Sequence, residues 1–379
     1  MKAIKRLGAA AVMSCLLLLA GCWDKVEIED RLFVLAIGVD SATEAEQKIS
    51  EDRYTLSFVA PVVDQIIEGE GPTFHTYKTV ENNLITSLTQ LLERFSKKQF
   101  FGHTRAIFFG EDIMKSDKLL KEVLDGVSRY HELHNSMYAY IVPGRAEEVF
   151  EVKPMYDKLL APYIAGITEN SNYTSKAMRL SLLDMTIMLE NQQGGLVIPK
   201  LVPGEKEVRL NGAGVLKGYK LIGYLGDKET SVYNWLMNKA KGGAISIEYN
   251  NTPTVFRHFT FNRKIRLAKV EEGKIYLNYE METEGSIEEY KMGWKILDNV
   301  LLEEISREVE KRIEGESEKL IEKFQKQFKA DLIGVKDYLS KYQPKLYKTI
   351  EKDYEKFFTD SIVVEVTANV KIRRVGLIK

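Results

Sequence analysis

The sequence predicts an α+β fold made of three consecutive domains of mixed sheets and helices behind a signal peptide. Short apolar runs typical of strands alternate with amphipathic stretches typical of helices along the whole chain. The 379 residues are enough for two or three domains. Breaks in the pattern place the expected domains at residues 22–150, 151–252 and 253–379, after a signal at residues 1–21.

The first residues have the pattern of an export signal. Lys2, Lys5 and Arg6 precede an apolar run of 14 residues at 7–20. That run is too short to cross about 30 Å of hydrocarbon, which needs about 20 residues, so it indicates a removable signal. The run ends in Leu19-Ala20-Gly21-Cys22, the form of a bacterial lipobox. We therefore predict that Cys22 carries a diacylglyceryl group and anchors the mature chain outside the cytoplasm; the alternative is an ordinary secretory signal with a chance cysteine.

The cysteine content and net charge argue against some classes of binding partner. Cys15 lies inside the signal, so the mature chain keeps only Cys22 and cannot form an internal disulfide. Removing the three basic residues of the signal from the 54 Lys and Arg leaves 51 against 55 Asp and Glu, a formal charge of −4. This balance argues against a nucleic-acid partner and against a polybasic membrane surface. The lipid is therefore expected to hold the protein at the membrane.

The first domain shows the order β-β-α-β-α-β. An unbroken apolar run at 32–40 indicates a buried central strand, and alternation at 53–59 indicates a second strand. A helix is expected at 79–95, where apolar residues including Ile85 and Leu92 recur at helical spacing. The remaining elements are expected at 105–109, 117–130 and 137–142, as strand, helix and strand.

The middle domain is expected to mix short strands with helices. Its helices are expected at 154–167, 176–190 and 231–241, and its strands at 196–201, 207–218, 220–225 and 244–249. The third domain should open with a hairpin at 255–282 that turns at Glu271-Glu272-Gly273. A long amphipathic helix follows at 297–330, and a second helix at 346–358. The last strand, 362–372, alternates apolar and polar residues as a half-exposed strand does.

Motifs for catalysis and cofactor binding are missing from the sequence. It contains no Gly-x-Ser-x-Gly, His-Glu-x-x-His or P-loop pattern. Gly212-x-Gly214-x-x-x-Gly218 is close to a dinucleotide fingerprint but continues as a strand, so a phosphate would lack its helix N-terminus. The sequence predicts no cofactor.

Histidines and carboxylates give no stronger signal. His131 and His134 could share a helix face, but further metal ligands are missing, so surface positions are expected. His103 precedes a buried strand and is expected to be a buried imidazole bonded to the backbone. Carboxylate clusters such as Glu303-Glu304 are expected on solvated faces, and glycosidase chemistry is neither supported nor excluded. The sequence thus predicts a protein without enzymatic activity.

Several stretches together resemble the GerC-type spore germination lipoproteins. Residues 22–28, Cys-Trp-Asp-Lys-Val-Glu-Ile, followed by Gly-Val-Asp at 38–40, resemble the opening of that family. Residues 71–74 resemble the glycine-centred loop before its first long helix, and residues 102–111 resemble its His-containing strand. Residues 331–334 and the valine-rich last strand resemble its C-terminal region. The resemblance covers nearly the whole mature chain.

The resemblance implies a function. GerC-type proteins are the C subunits of nutrient germinant receptors and lie on the outer face of the spore's inner membrane, beside two polytopic subunits, A and B. In that family the B subunit resembles a nutrient sensor and the A subunit a channel. A three-domain, lipid-anchored, non-enzymatic subunit that contacts A and B is therefore expected. The alternatives are a substrate-binding lipoprotein that captures the nutrient directly and a lipid-anchored hydrolase of the envelope.

Overall fold

The computed structural model describes residues 27–50, 53–68, 71–190, 195–290 and 299–375. The strands of these residues are β1 (Arg31–Phe33), β2 (Ala36–Ser41), β3 (Tyr54–Pro61), β4 (Phe74–Glu81), β5 (Lys98–Phe100), β6 (Ala106–Gly110), β7 (Tyr138–Val142), β8 (Leu196–Pro203), β9 (Val208–Lys217), β10 (Lys220–Leu225), β11 (Gly243–Tyr249), β12 (Thr252–Glu271), β13 (Lys274–Tyr290) and β14 (Ile362–Val375). The α-helices are α1 (Glu44–Ser50), α2 (Val63–Glu68), α3 (Leu84–Arg94), α4 (Glu111–Lys115), α5 (Asp117–Arg129), α6 (Leu160–Glu169), α7 (Leu182–Glu190), α8 (Asp227–Leu236), α9 (Asn299–Lys323), α10 (Val335–Tyr342), α11 (Pro344–Ile350) and α12 (Tyr354–Asp360). Short 3₁₀ turns lie at Ile28–Asp30, Ala146–Glu151, Asn170–Asn172 and Glu351–Asp353, and a π-helical turn at Phe324–Phe328 extends α9.

Eight strands form the larger sheet, in the order β10-β9-β8-β7-β6-β2-β3-β4. Strands β2, β6, β7 and β8 run parallel, and the outer strands are antiparallel. Helices α3, α5 and α7 pack on one face, and the Ala146–Glu151 turn and α6 pack on the other. Because both faces are covered, every residue of β6 is buried, as the continuous apolar runs of this region predict. The expected α+β class is confirmed.

The apolar run at 32–40 does not form one strand, contrary to expectation. Its start, β1, pairs in parallel with β5 in a separate two-stranded sheet, whereas β2 joins the larger sheet. Between them, Val34 N–H donates to the Phe100 carbonyl and Leu35 N–H to the Val59 carbonyl. The run changes partners at this point, which its uniform apolarity could not reveal.

A further strand, β4, occupies part of the region expected to be helical. It pairs with β3 along its whole length, from Tyr54 opposite Glu81 to Pro61 opposite Phe74. Helix α3 begins only at Leu84, after Asn83 accepts a hydrogen bond from Thr86 N–H at 3.0 Å. The loop at 71–74 therefore precedes a strand and not the first long helix. Ile85 and Leu92, expected in the core, are 51% and 48% exposed.

Both expected domain boundaries fall inside sheets. Strand β8 continues the larger sheet beside β7, with Lys200 opposite Ile141, so the sheet crosses residues 150 and 151. Strand β11 pairs with β12 from Gly243 opposite His258 to Tyr249 opposite Thr252, so the turn lies at residues 250 and 251 and the boundary expected at residues 252 and 253 falls inside β12. The change from one sheet to the next lies between β10 and β11, where α8 connects them.

The smaller sheet has the order β11-β12-β13-β14. The expected hairpin between β12 and β13 is confirmed, and its turn residues Glu272 and Gly273 have φ of 50° and 76°, as a two-residue turn requires. The long helix α9 buries its expected stripe against this sheet, including Ile305, Val309 and Ile313. The apolar side of β14 packs in the same core.

Three glutamates of α9 bind the outer edge of β14. Glu310, Glu314 and Glu318 accept hydrogen bonds from the N–H groups of residues 370, 368 and 366 at 2.8, 2.9 and 3.4 Å. Their spacing of four residues places them on one helical face, and the alternation of the strand matches it. We call these three residues the glutamate ladder.

A glycine in α5 offers a stabilising substitution. Gly126 lines a cavity of about 210 Å³ between α3, α5 and the sheet, and a Cβ there would meet Leu84 at an ordinary 3.5 Å. We expect Gly126→Ala to stabilise the fold by about 1.5 kcal/mol, from helix propensity and partial filling of the cavity. Gly315→Ala in α9, where a Cβ meets nothing within 4 Å, should add only about 0.8 kcal/mol, the propensity share. Urea unfolding of both variants measures the difference; equal gains would contradict the cavity contribution.

Candidate functional site

The predicted lipid-attachment residue, Cys22, lies outside the described residues. The described chain starts at Glu27 and leads through the turn Ile28–Asp30 into β1. All the motifs on which the family resemblance rests, except the first one at 22–28, lie within the described residues.

The Gly-Val-Asp motif places a buried carboxylate at the end of β2. Asp40 is 2% exposed. Its Oδ1 accepts a hydrogen bond from Ala146 N–H at 2.7 Å and its Oδ2 one from Glu147 N–H at 3.1 Å. A Cβ on Gly110 would lie 2.1 Å from Asp40 Oδ1. Glycine is therefore required where β6 ends, and two separate motifs meet here.

Charges surround this carboxylate without opening it to solvent. Burial raises the pKa of Asp40 to about 6, although the two backbone hydrogen bonds and Arg145 act in the opposite direction. Arg145 is paired with Glu147, and Lys78 bridges Glu147 and Glu46, each at 2.9 Å. Asp40 thus fixes the Ala146–Glu151 turn over the sheet, a structural role.

A second buried carboxylate, Asp331, organises the start of α10. Its Oδ1 accepts hydrogen bonds from the N–H groups of residues 333, 334 and 335 at 3.2, 3.0 and 3.2 Å. Its Oδ2 accepts from Lys336 N–H at 2.6 Å and from the Tyr354 hydroxyl at 2.7 Å. One carboxylate therefore satisfies the first two N–H groups of α10 and two more in the loop before it, and it ties α12 to this helix N-terminus. Burial and the nearby Asp331 raise the pKa of Tyr354 above its ordinary range.

A cleft of about 730 Å³ opens beside Asp331, where helices packed on the larger sheet meet the segments around α10 and α12. Its walls come from α5, the β9–β10 turn, the loop before α10 and the segment around α12. Lysines including Lys121, Lys329 and Lys352 alternate there with acidic residues such as Asp117 and Glu351. Such mixed charge does not select a substrate of one sign.

One histidine that the sequence pattern did not single out is buried in the core. His258 on β12 is 1% exposed, and its ring packs against Trp235 and Phe261. Among the described residues neither of its ring nitrogens has a hydrogen-bond partner, and burial lowers its pKa to about 4. Gly243 faces it, since a Cβ there would lie 2.7 Å from Nε2. The period-two spacing of Phe256 and His258 is the sequence signal that predicts this burial, because alternate residues of a strand face the same side.

The other histidines occupy surface positions. His103 was expected to be buried, but it is exposed. The centroid of its ring lies 5.6 Å from the ring centroids of Phe33 and Phe100. Its neighbour Thr104 is the buried residue and donates to the Val34 carbonyl at 2.8 Å. His131 and His134 are exposed, as expected, but lie in turns and not on a helix.

The described residues hold no group of three or more His, Cys, Asp and Glu side chains that could bind a metal ion. The glycines at 212–218 lie on β9 and its turn into β10, so the expected strand is confirmed there. A Cβ on Gly212 would lie 2.2 Å from the Leu225 carbonyl oxygen, which explains that glycine by strand contact. No helix in the described part of the chain has the length and apolarity of a membrane span.

Comparisons with known proteins identify the family. The model of the N-terminal domain of spore germination proteins matches residues 24–203, and the model described as spore germination B3/GerAC-like, C-terminal, matches residues 211–376. Spore germination protein YndF of Bacillus subtilis (strain 168) is 23% identical over 403 residues, covering 99% of this chain and 98% of its own. Spore germination protein KC of the same organism is 23% identical over 397 residues, with 98% and 96% covered.

A solved structure shows the same fold. The crystal structure of the GerBC protein matches with a TM-score of 0.58 and 18% identity, covering 89% of this chain and 97% of that one. The two domain models together span nearly all of the chain after residue 23, and the curated relatives match almost end to end. The chain belongs to the GerC-type family of spore germination proteins.

Proposed function

We propose that this protein is the lipid-anchored, non-enzymatic C subunit of a spore nutrient germinant receptor. A diacylglyceryl group on Cys22 holds the folded body on the outer face of the spore's inner membrane. There the body acts in germination through contacts with the polytopic A and B subunits, without a cofactor.

The lipobox carries this proposal. Cysteine follows Leu-Ala-Gly directly after a short basic and apolar signal, and the family match starts two residues later, at residue 24. Two acyl chains suffice for stable anchoring, because each buried CH₂ contributes about 0.8 kcal/mol. A tether to the membrane also raises the local concentration of the body near membrane-embedded partners.

Two cysteines give the experiment a matched pair. Cys22→Ala should leave the fold intact, release the protein from the membrane fraction and weaken the germination response to nutrient. Cys15→Ala changes a residue of the signal that cleavage removes, so it should leave anchoring unchanged. Fractionation and mass spectrometry of the mature N-terminus measure both. A Cys22→Ala protein that stays wholly with the membrane would overturn the anchor, and so would an unmodified N-terminus in the parent.

One observation favours a second function, a binding protein that captures the nutrient itself. The 210 Å³ cavity has apolar walls that include Ile37 and Val123, and at its rim Arg53 pairs with Glu122 at 2.8 Å. Apolar walls with a few charged groups are typical of small-ligand sites. Calorimetry of the mature body with amino acids and sugars distinguishes the two functions: saturable heat favours direct capture, and its absence favours action through the partner subunits.

A further inference from the structure

Four large apolar side chains are exposed in two neighbouring segments. Val63 and Ile67 lie one helical turn apart on α2 and are 55% and 77% exposed. Met155 and Tyr156, in the segment before α6, are 68% and 93% exposed. We call these four residues the end patch. Single exposed apolar residues are common on soluble proteins, but a group of this kind marks a contact surface.

Hydrogen bonds hold the two segments together. Lys158, two residues after Tyr156, donates from Nζ to the Ile66 carbonyl at 2.8 Å. The Lys158 carbonyl accepts a bond from the Thr73 hydroxyl. The segment before α6 is thus fixed both to α2 and to the start of β4, so the end patch is one surface.

The end patch lies at the end of the sheet where the folded chain begins. Strand β2 starts at Ala36, opposite Val59 of β3. Strand β3 runs the other way, ends at Pro61, and is followed by α2 at residue 63. Residues 27–35 and α2 therefore extend from the same end of the larger sheet.

The predicted lipid cannot be far from this end. Glu27 lies five positions after Cys22, and five residue steps of fully extended chain span at most about 18 Å. Ile28, the next residue, is itself 70% exposed. An acylated Cys22 would therefore hold this end of the body, and not the opposite one, at the bilayer.

We propose that the end patch inserts its apolar side chains into the interfacial region of the lipid bilayer and so orients the anchored body. This inference rests on the lipidation of Cys22 proposed above. The mature charge of −4 argues against general attraction to an anionic surface, and the exposed side chains at this end favour an apolar contact. A tyrosine beside aliphatic side chains is a composition typical of the membrane interface. The polytopic subunits are the competing occupant.

The cysteine content allows a direct test. An acylated Cys22 has no free thiol, so Tyr156→Cys creates one labelling position for an environment-sensitive fluorophore. Ile85→Cys is the matched control, because Ile85 is 51% exposed and follows the far end of β4, at the opposite end of the sheet. Both lipidated proteins are reconstituted into phosphatidylglycerol and phosphatidylethanolamine vesicles without the A and B subunits.

We expect emission from position 156 to shift to shorter wavelength on the vesicles and to be quenched by nitroxide-labelled lipids, while position 85 stays water-like. Water-like emission at both positions would overturn the inference, and so would a shift at 156 that needs the A and B subunits. A second pair, with a hexahistidine tag replacing residues 1–22 on nickel-chelating lipids, tests the same face without acylation. Failure of Cys22 lipidation alone would instead appear in the mass of the N-terminus.

Discussion

Asp331→Ala is expected to destabilise the protein by about 3–5 kcal/mol, among the largest effects a single substitution has. Its carboxylate accepts four backbone N–H groups and the Tyr354 hydroxyl. Removing it leaves these donors buried and unsatisfied, and each costs about 1–3 kcal/mol before the structure relaxes. The loss should fall on the half of the molecule built around α9, α10 and the smaller sheet, whose core Tyr354 joins.

Two further variants separate capping from the mere loss of charge. Asp331→Asn keeps the acceptor for residues 333–335 but turns an amide toward Lys336 N–H, so its loss should be intermediate. Asp337→Ala, at an exposed site in the first turn of the same helix, should cost well under 1 kcal/mol. Urea unfolding followed by fluorescence of Trp235, in the same core, measures all three. An Asp331→Ala loss as small as that of Asp337→Ala would contradict the capping role.

Asp40→Asn and His258→Phe are expected to change the pH dependence of stability in opposite directions. Folding raises the pKa of Asp40 from 3.8 to about 6, so the folded state binds the proton more tightly and stability falls as pH rises through that range. Folding lowers the pKa of His258 from 6.5 to about 4, so stability rises as pH rises from 4 to 6.5. Each contribution is about 3 kcal/mol, and in the parent the two nearly cancel.

The two substitutions expose the hidden contributions. As the pH increases from 4.5 to 6.5, the unfolding free energy of Asp40→Asn should increase more steeply than that of the parent. The unfolding free energy of His258→Phe should decrease over the same range. Folding lowers the pKa of Glu46 from 4.5 to about 2. Its contribution to stability therefore changes with pH mainly below pH 4.5, outside this range. The two residues lie in separate parts of the molecule, so the double variant should return to the parent's slope. Parallel profiles for the parent and both single variants would contradict the two shifts.

Local pattern predicted the elements whose partners are their sequence neighbours. The β12–β13 hairpin and the last strand carry their alternation and turn within a few residues, and both were confirmed. The family was equally visible, because its motifs are short and ordered along the chain. Strand β4 was missed because its tail runs into the apolar spacing of α3, and only pairing with β3 fixes it as a strand.

Contacts between distant segments were beyond local pattern. Nothing near residue 141 indicates that β7 pairs with β8. The sequence pattern therefore assigns the strands of the larger sheet to two separate domains. The sequence showed Asp40 and Asp331 only as parts of motifs, because their partners lie on other elements or around a turn. His103 was expected in place of Thr104, since the turn at 102–104 reverses which side chain faces inward.

The glutamate ladder has a consequence for the membrane-anchored state proposed above. A strand at the rim of a sheet normally presents free N–H groups on which another chain can build. Here the carboxylates of α9 already occupy those groups at residues 366, 368 and 370. At these three positions the rim offers no free backbone donor to a neighbouring copy, whatever the local concentration. If the proposed anchor confines many copies to one bilayer, their bodies would pair less readily through this edge.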